Sequence, residues 1–267
     1  MLQRFIRIAA SLAVFAMLVA ARPVRATDYT DLWYIPAEGG WGANVVQSDD
    51  FMFVTFFIYG PDNKPTWYSA DLSWDGAKFT GGLFTTTGTY WLPPWNAADV
   101  TTQQVGTATF TPDALNAYQA TLSWTVNGVG TAIKAVERQT LTRIAIGGSY
   151  VGGQAGTYSG CNASGTNGAY TDKYSLAVTQ TTGGNATFTF TYDNANSTCT
   201  LSGPLEQHGK LYRIPGATYQ CSGDLNFSTT ATVYELKATG QGIEGRFAAT
   251  LPNSGCQENA NFSAVLE

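Results

Sequence analysis

The sequence predicts an all-β protein of two antiparallel, barrel-like domains in tandem, and three observations support this. Short runs rich in Thr, Tyr, Phe, Trp and Val are broken by turn residues about every ten positions. Within these runs apolar and polar side chains alternate with a period of two. Charged residues make up only 12% of a chain that contains 29 glycines. Closure into up-and-down barrels, or rolling into sandwiches, would remove exposed sheet edges.

The first 26 residues predict a secretory signal peptide. Arg4 and Arg7 form a charged start, residues 8–21 an apolar core, and the segment ending at Ala26 a cleavage site. We expect a mature chain that begins at Thr27 and is periplasmic or extracellular. No later segment has about twenty consecutive apolar residues, so no membrane span is predicted.

The net charge argues against nucleic acid as a partner. Loss of the leader would remove four of the fourteen basic residues and none of the nineteen acidic ones, leaving a formal charge of −9. Such an acidic surface repels phosphate backbones and anionic lipid.

Two alternating segments illustrate the strand pattern. Residues 118–126 place Tyr, Ala, Leu, Trp and Val on one face, and residues 243–251 repeat this in the second half. Asp75-Gly76 and Asn127-Gly128 predict tight hairpin turns. Around residues 145–156 the chain becomes glycine-rich and loses its period, so we predict an aromatic-rich domain over 27–146 and a second domain over 150–267.

The second domain contains every cysteine of the chain: Cys161, Cys199, Cys221 and Cys256. An even number of cysteines in an exported chain, without C-x-x-C spacing, predicts two disulfides. Three connectivities are open. We favour Cys199 with Cys221, which flank one predicted hairpin, and Cys161 with Cys256, which would join the two ends of the domain.

The strand predicted over Phe51–Tyr59 is apolar on both faces. The simpler interpretation is that its outer face is covered by the second domain or by the chain before Trp41. The alternative is an exposed surface for a protein partner or for self-association.

Part of the first domain resembles a known family. The segment Leu32-Trp-Tyr-Ile-Pro-Ala-Glu-Gly-Gly-Trp-Gly-Ala-Asn44, residues 53–59 and Lys64-Pro-Thr-Trp-Tyr68 are similar to a unit that recurs in uncharacterised secreted proteobacterial proteins. Residues 105–110 and 134–139 extend the resemblance over about residues 31–140. The family often has Ser where this chain has Gly39, and Trp where it has Tyr34. The resemblance implies a secreted bacterial β domain and carries no catalytic residue across.

Candidate catalytic groups are few. The single histidine, His208, is predicted in a hairpin loop, and one histidine with scattered carboxylates predicts neither a metal site nor a cofactor. A carboxylate-dependent glycoside hydrolase needs two carboxyl groups about 5 to 10 Å apart. Four acidic residues near aromatic side chains are candidates for such a pair: Glu38, Asp71, Asp75 and Asp99.

The strongest candidate for function is the aromatic segment over residues 88–96, which is too rich in proline for an inner strand. It could line or cover a cavity together with aromatic residues of nearby strands. The predicted ligand-binding residues are Trp41, Trp67, Tyr68, Trp74, Tyr90, Trp91 and Trp95. The alternative is that these side chains fill the end of a barrel.

The sequence therefore predicts a secreted, non-enzymatic protein that binds a small apolar or aromatic molecule or a glycan at the aromatic end of its first domain. A secreted hydrolase and a structural or adhesive interaction module are the competing hypotheses. Opposed carboxylates in a cleft would favour the hydrolase, and a filled barrel with an exposed apolar sheet would favour the interaction module.

Overall fold

This computed structural model describes residues 27–92, 94–114, 116–162 and 165–267. The predicted signal peptide, residues 1–26, lies outside them. The described chain forms two eight-stranded antiparallel closed barrels in tandem, which confirms the predicted fold class.

The first barrel is an up-and-down barrel in which each strand pairs with the next one along the chain. Its strands are β1 Asp31–Tyr34, β2 Gly42–Ser48, β3 Phe51–Tyr59, β4 Pro65–Trp74, β5 Phe79–Thr87, β6 Thr101–Pro112, β7 Gln119–Val126 and β8 Gly130–Arg138. The barrel closes where β1 pairs with β8, with Trp33 opposite Arg138. A short 3-10 turn, Ala97–Asp99, lies between β5 and β6. The two predicted hairpins are present, but their loops have four and three residues rather than two.

The second barrel contains the remaining nine strands. They are β9 Gly148–Ser159, β10 Gly168–Gln180, β11 Asn185–Tyr192, β12 Ser197–Pro204, β13 Glu206–His208, β14 Leu211–Gly223, β15 Phe227–Thr239, β16 Gly242–Thr250 and β17 Gln257–Leu266. Strands β12 and β13 follow one another along β14, so together they occupy one place in the barrel. Pairing of β9 with β17 and of β12 with β14 completes the ring.

The glycine-rich segment around residues 145–156 was interpreted as a break in the strand pattern, but most of it forms a strand. Residues 148–156 belong to β9, which pairs with β10 on one side and β17 on the other. Gly152 lies opposite Ala264, and a Cβ at Gly152 would collide with the carbonyl of Ser263. Glycine therefore permits close strand approach here, and the hydrophobic period is lost because several positions carry no side chain.

Both favoured disulfides are confirmed. Cys199 and Cys221 are directly opposite each other on β12 and β14, and Cys161 and Cys256 join the segments after β9 and before β17. These two bonds pair all four cysteines of the sequence. Two disulfides fit an extracytoplasmic location.

Strand β3 buries only one of its two apolar faces. Met52, Val54 and Phe56 point into the barrel and are fully buried. On the outer face Phe51, Phe53, Phe57 and Tyr59 are between 40% and 55% exposed. The expectation that another part of the protein covers this face is therefore wrong for the described residues.

Within the part of the chain that the structure describes, no helix is both long and apolar enough to cross a membrane.

Candidate functional site

Most of the predicted aromatic residues lie at one end of the first barrel. Because successive strands run in opposite directions, the β1–β2, β3–β4, β5–β6 and β7–β8 connections meet at that end. The other end faces the second barrel, since the Lys210 amide donates to Asp31 at the start of β1. We define the aromatic end by five residues of the first barrel: Tyr59, Trp67, Tyr90, Trp91 and Trp95.

The side chains of the aromatic end are open to solvent. In the β5–β6 connection, Tyr90, Trp91 and Trp95 are 66%, 74% and 60% exposed, and Pro93 lies outside the described residues. Trp67 on β4 is also exposed and lies directly opposite Phe57 of β3. The rings thus form an open aromatic surface, and none of the three cavities of about 420 to 430 Å³ in the described residues is lined by them.

Trp41 has a different role because it packs into the end of the barrel. Its ring lies 5.9 Å from that of Trp124, which in turn lies 5.3 Å from Phe56. Trp41 Nε1 donates to Glu38 at 2.9 Å, and Lys134 donates to the same carboxylate at 2.8 Å. Trp41 therefore fills the barrel end, as the alternative interpretation of the aromatic residues predicted.

Two further predicted residues are also set apart from the open surface. Tyr68 is half-buried and packs against the barrel core. Trp74 is the last residue of β4 and lies at the opposite end of the barrel, where its ring packs 4.8 Å from Phe79. The structure thus places Trp67 and the β5–β6 connection at the same end of the barrel and Trp74 at the other end.

The acidic candidates have structural partners. Lys134 and Trp41 hold the pKa of Glu38 below its ordinary value. The amides of Ala77 and Lys78 do the same for the pKa of Asp75, whose side chain fixes the β4–β5 turn. A general acid requires the opposite shift. Asp71 and Asp99 lie on the outer face of β4 and in the 3-10 turn.

The junction between the barrels contains polar groups that the sequence analysis missed. His208 was predicted in a hairpin loop, but it is the last residue of strand β13 and pairs with Leu211. Its ring stacks on Tyr118 of the first barrel, with ring centroids 4.9 Å apart. The next residue, Gly209, has a φ of 61°, and a Cβ there would collide with Asp31. Burial and Arg213 lower the pKa of His208.

Arg138 is the buried centre of this junction. Its guanidinium donates to the carbonyls of Ala117 at 2.9 Å and Asp28 at 2.7 Å and to Asp31 Oδ2 at 3.2 Å. Asp28 also accepts from Lys210 and Lys237 of the second barrel. Burial alone would raise the pKa of Asp28, but hydrogen bonds from Thr30 and Lys237 hold it well below its ordinary range. The burial of Arg138 could have been predicted locally, because the alternation of inward and outward side chains along β8 places Arg138 on the inward face.

The interior of the second barrel contains a buried carboxyl group. Glu258 is 2% exposed, and its Oε1 accepts hydrogen bonds from Tyr170 and Tyr158. Its Oε2 has no hydrogen-bond partner among the described residues. Burial raises the pKa of Glu258, hydrogen bonds from the two tyrosines oppose the shift, and Asp172 adds to it.

We expect this carboxyl group to make stability depend on pH. Because the pKa of Glu258 is higher in the folded chain than its unfolded value of about 4.3, its ionisation weakens the fold as pH rises through the folded pKa. Glu258→Gln cannot ionise, so its stability relative to wild type should increase from acidic to mildly basic pH. Urea unfolding across that range, followed by circular dichroism, measures the difference. A constant difference would contradict the assignment.

Within the described residues, no group of three or more His, Cys, Asp and Glu side chains could hold a metal ion.

Comparisons with known proteins provide fold likenesses at low similarity. No protein-family model and no curated protein sequence matches the chain. A protein described as a candidate outer membrane protein of Bacteroides fragilis aligns over 88% of this chain and 94% of its own, with 11% identity and a TM-score of 0.33. Transferrin binding protein B of Neisseria meningitidis aligns over 85% and 66%, with 11% identity and a TM-score of 0.31.

A protein of unknown function from Nostoc punctiforme aligns over 88% of this chain and 93% of its own, with 7% identity and a TM-score of 0.29. At these scores none of the three proteins transfers a function to this chain.

Proposed function

We propose that this chain is an exported, non-enzymatic binding protein that holds a glycan on the aromatic end of its first barrel. The observation that carries the proposal is the exposure of Trp67, Tyr90, Trp91 and Trp95 at the barrel end that faces away from the second barrel. A group of exposed aromatic rings commonly marks a site for a ligand or a partner. We also propose that residues 31–140 belong to the secreted proteobacterial family that they resemble.

The geometry favours a glycan over a small apolar molecule. A small apolar ligand usually has 70 to 90% of its surface buried in a cavity. Here Trp41 fills the barrel end, and the exposed rings line none of the three cavities. An extended saccharide can lie across exposed rings, because each sugar ring needs only one flat aromatic face. The lowered pKa values of Glu38 and Asp75 favour binding over glycoside hydrolysis.

Double replacement of Trp91 and Trp95 by alanine tests this proposal. We expect wild type to be retarded in native gels that contain one of four polysaccharides, namely hydroxyethyl cellulose, xylan, glycol chitin and starch. The double variant should lose that retardation and keep its thermal midpoint, because both rings are exposed. The matched control is Trp74→Ala, at the opposite barrel end, which should bind as wild type does.

Two outcomes would count against the proposal. One is wild type that migrates unretarded through all four polysaccharides. The other is a large fall in the thermal midpoint of the double variant, which would mean that the two rings support the fold.

The exposed outer face of β3 favours a second candidate function, an interaction module. Phe51, Phe53 and Phe57 form an apolar stripe, and Val46 of β2 lies opposite Phe53. Sedimentation velocity distinguishes two versions of this candidate, because a strictly monomeric protein leaves only a different protein as the partner.

A further inference from the structure

A cavity of about 430 Å³ lies at the junction of the two barrels, away from the aromatic end. Tyr29 and Tyr118 line it from the first barrel, and Arg213, Tyr234 and Glu235 line it from the second. Its volume lies within the range of about 300 to 1,000 Å³ that is typical of small-molecule sites, which occur preferentially between domains.

The walls of this cavity carry hydrogen-bonding groups that the protein leaves unused. Arg213 uses Nε to donate to Glu206 at 2.7 Å, and its terminal nitrogens have no hydrogen bond to the described residues. Glu235 Oε1 accepts from Thr27 and Arg246, whereas Oε2 accepts from no described residue. Tyr234 has neither a ring partner nor a hydroxyl hydrogen bond in the described part of the chain, although it is half-buried.

The backbone at Glu235 is held in an unusual conformation that aims this residue at the junction. Its φ is 50°, and it lies in an irregularity of the pairing between β15 and β16. Its amide donates to the Tyr118 hydroxyl at 2.9 Å. A positive φ at a residue other than glycine persists only where its surroundings enforce it, and such residues concentrate at ligand sites.

The charges of Arg213 and Glu235 in the cavity wall are already compensated. Arg213 is paired with Glu206, and Glu235 is paired with Arg246. At these two residues a charged ligand would therefore meet no unpaired counter-charge. The cavity presents to a ligand the planar donor of Arg213, a carboxylate oxygen of Glu235 and the ring and hydroxyl of Tyr234. These three groups match a ligand that has adjacent hydroxyl groups on a ring with a flat apolar face.

We infer that the junction cavity binds a neutral saccharide of one or two sugar units through Arg213, Tyr234 and Glu235. This inference does not rest on the proposed function of the aromatic end, because the two sites share no residue.

Calorimetric titration of the full mature chain with glucose, galactose, N-acetylglucosamine, cellobiose and maltose tests the inference. We expect one of these sugars to bind wild type at millimolar concentration or below. Tyr234→Ala should weaken that binding by about tenfold, since it removes the unpartnered ring and hydroxyl. Tyr234→Phe should lose only part of the affinity. The control Val265→Ala removes part of an exposed side chain on β17 that lines neither site, so it should bind as wild type does.

Thermal midpoints of both Tyr234 variants, measured in parallel, show whether they fold. Three results would overturn the inference. The first is that none of the five sugars binds wild type, and the second is that Tyr234→Ala, when folded, binds unchanged. The third is that Trp91→Ala combined with Trp95→Ala abolishes binding while Tyr234→Phe has no effect. That last result would place the sugar on the aromatic end and leave the proposed function intact.

Discussion

Replacing Arg138 with methionine should lower the free energy of unfolding of the first barrel by about 3 to 5 kcal/mol, because it leaves the largely buried Asp31 carboxylate without its ion-pair partner. The Arg138 side chain is fully buried and donates to Asp31 and to two backbone carbonyls. Methionine keeps much of the packing against Trp33, whose ring centroid lies 4.9 Å from the guanidinium carbon. All seven tryptophans lie between residues 33 and 124, so tryptophan fluorescence in urea follows this barrel alone.

The matched control for Arg138 is the double variant Asp31→Asn with Arg138→Met. Because it removes both charges, it should recover part of the stability lost in the single variant. A double variant that is no more stable than Arg138→Met alone would contradict this account of the junction.

Removing each of the two disulfides separately should destabilise the second barrel by a different amount. Cys161 and Cys256 are 95 residues apart and Cys199 and Cys221 are 22 apart. In the chain-entropy model, opening the longer loop costs about 4.7 kcal/mol and opening the shorter about 3.4 kcal/mol. We therefore expect Cys161→Ala with Cys256→Ala to be the less stable pair.

Circular dichroism during urea unfolding measures the stability of the two disulfide variants. Tryptophan fluorescence, which follows the first barrel, provides the internal control. The fluorescence transition should move less than the dichroism transition, since every tryptophan is in the first barrel. Equal stability of the variants and wild type would contradict a stabilising role for the disulfides.

The fold class could be predicted because a two-residue period is a local property. Each strand with one buried face, such as β7 or β17, shows that period in its own residues. The pairing of Cys199 with Cys221 was equally accessible, because the two residues flank one hairpin. The glycine-rich strand β9 was not, since Gly152 is explained by Ala264, a residue more than a hundred positions away.

The candidate sites were harder to predict from the sequence, because they too depend on contacts between distant residues. The aromatic end could be located from residues 88–96, which are consecutive, but the separation of Trp74 from Trp67 depends on the direction of β4. The junction joins Asp28 to Lys237 and Tyr118 to Glu235, and these pairs are 209 and 117 residues apart. A short sequence pattern does not show which outward-facing side chains will contact another domain.

Chemical footprinting of the tryptophans tests the central claim most directly. Exposed indole rings are oxidised with N-bromosuccinimide, with and without the polysaccharide that retards wild type, and the modified residues are identified by mass spectrometry. The proposed glycan site predicts protection of Trp91 and Trp95 and unchanged oxidation of Trp74 at the opposite barrel end. Equal oxidation of Trp91 and Trp95 with and without the polysaccharide would contradict it.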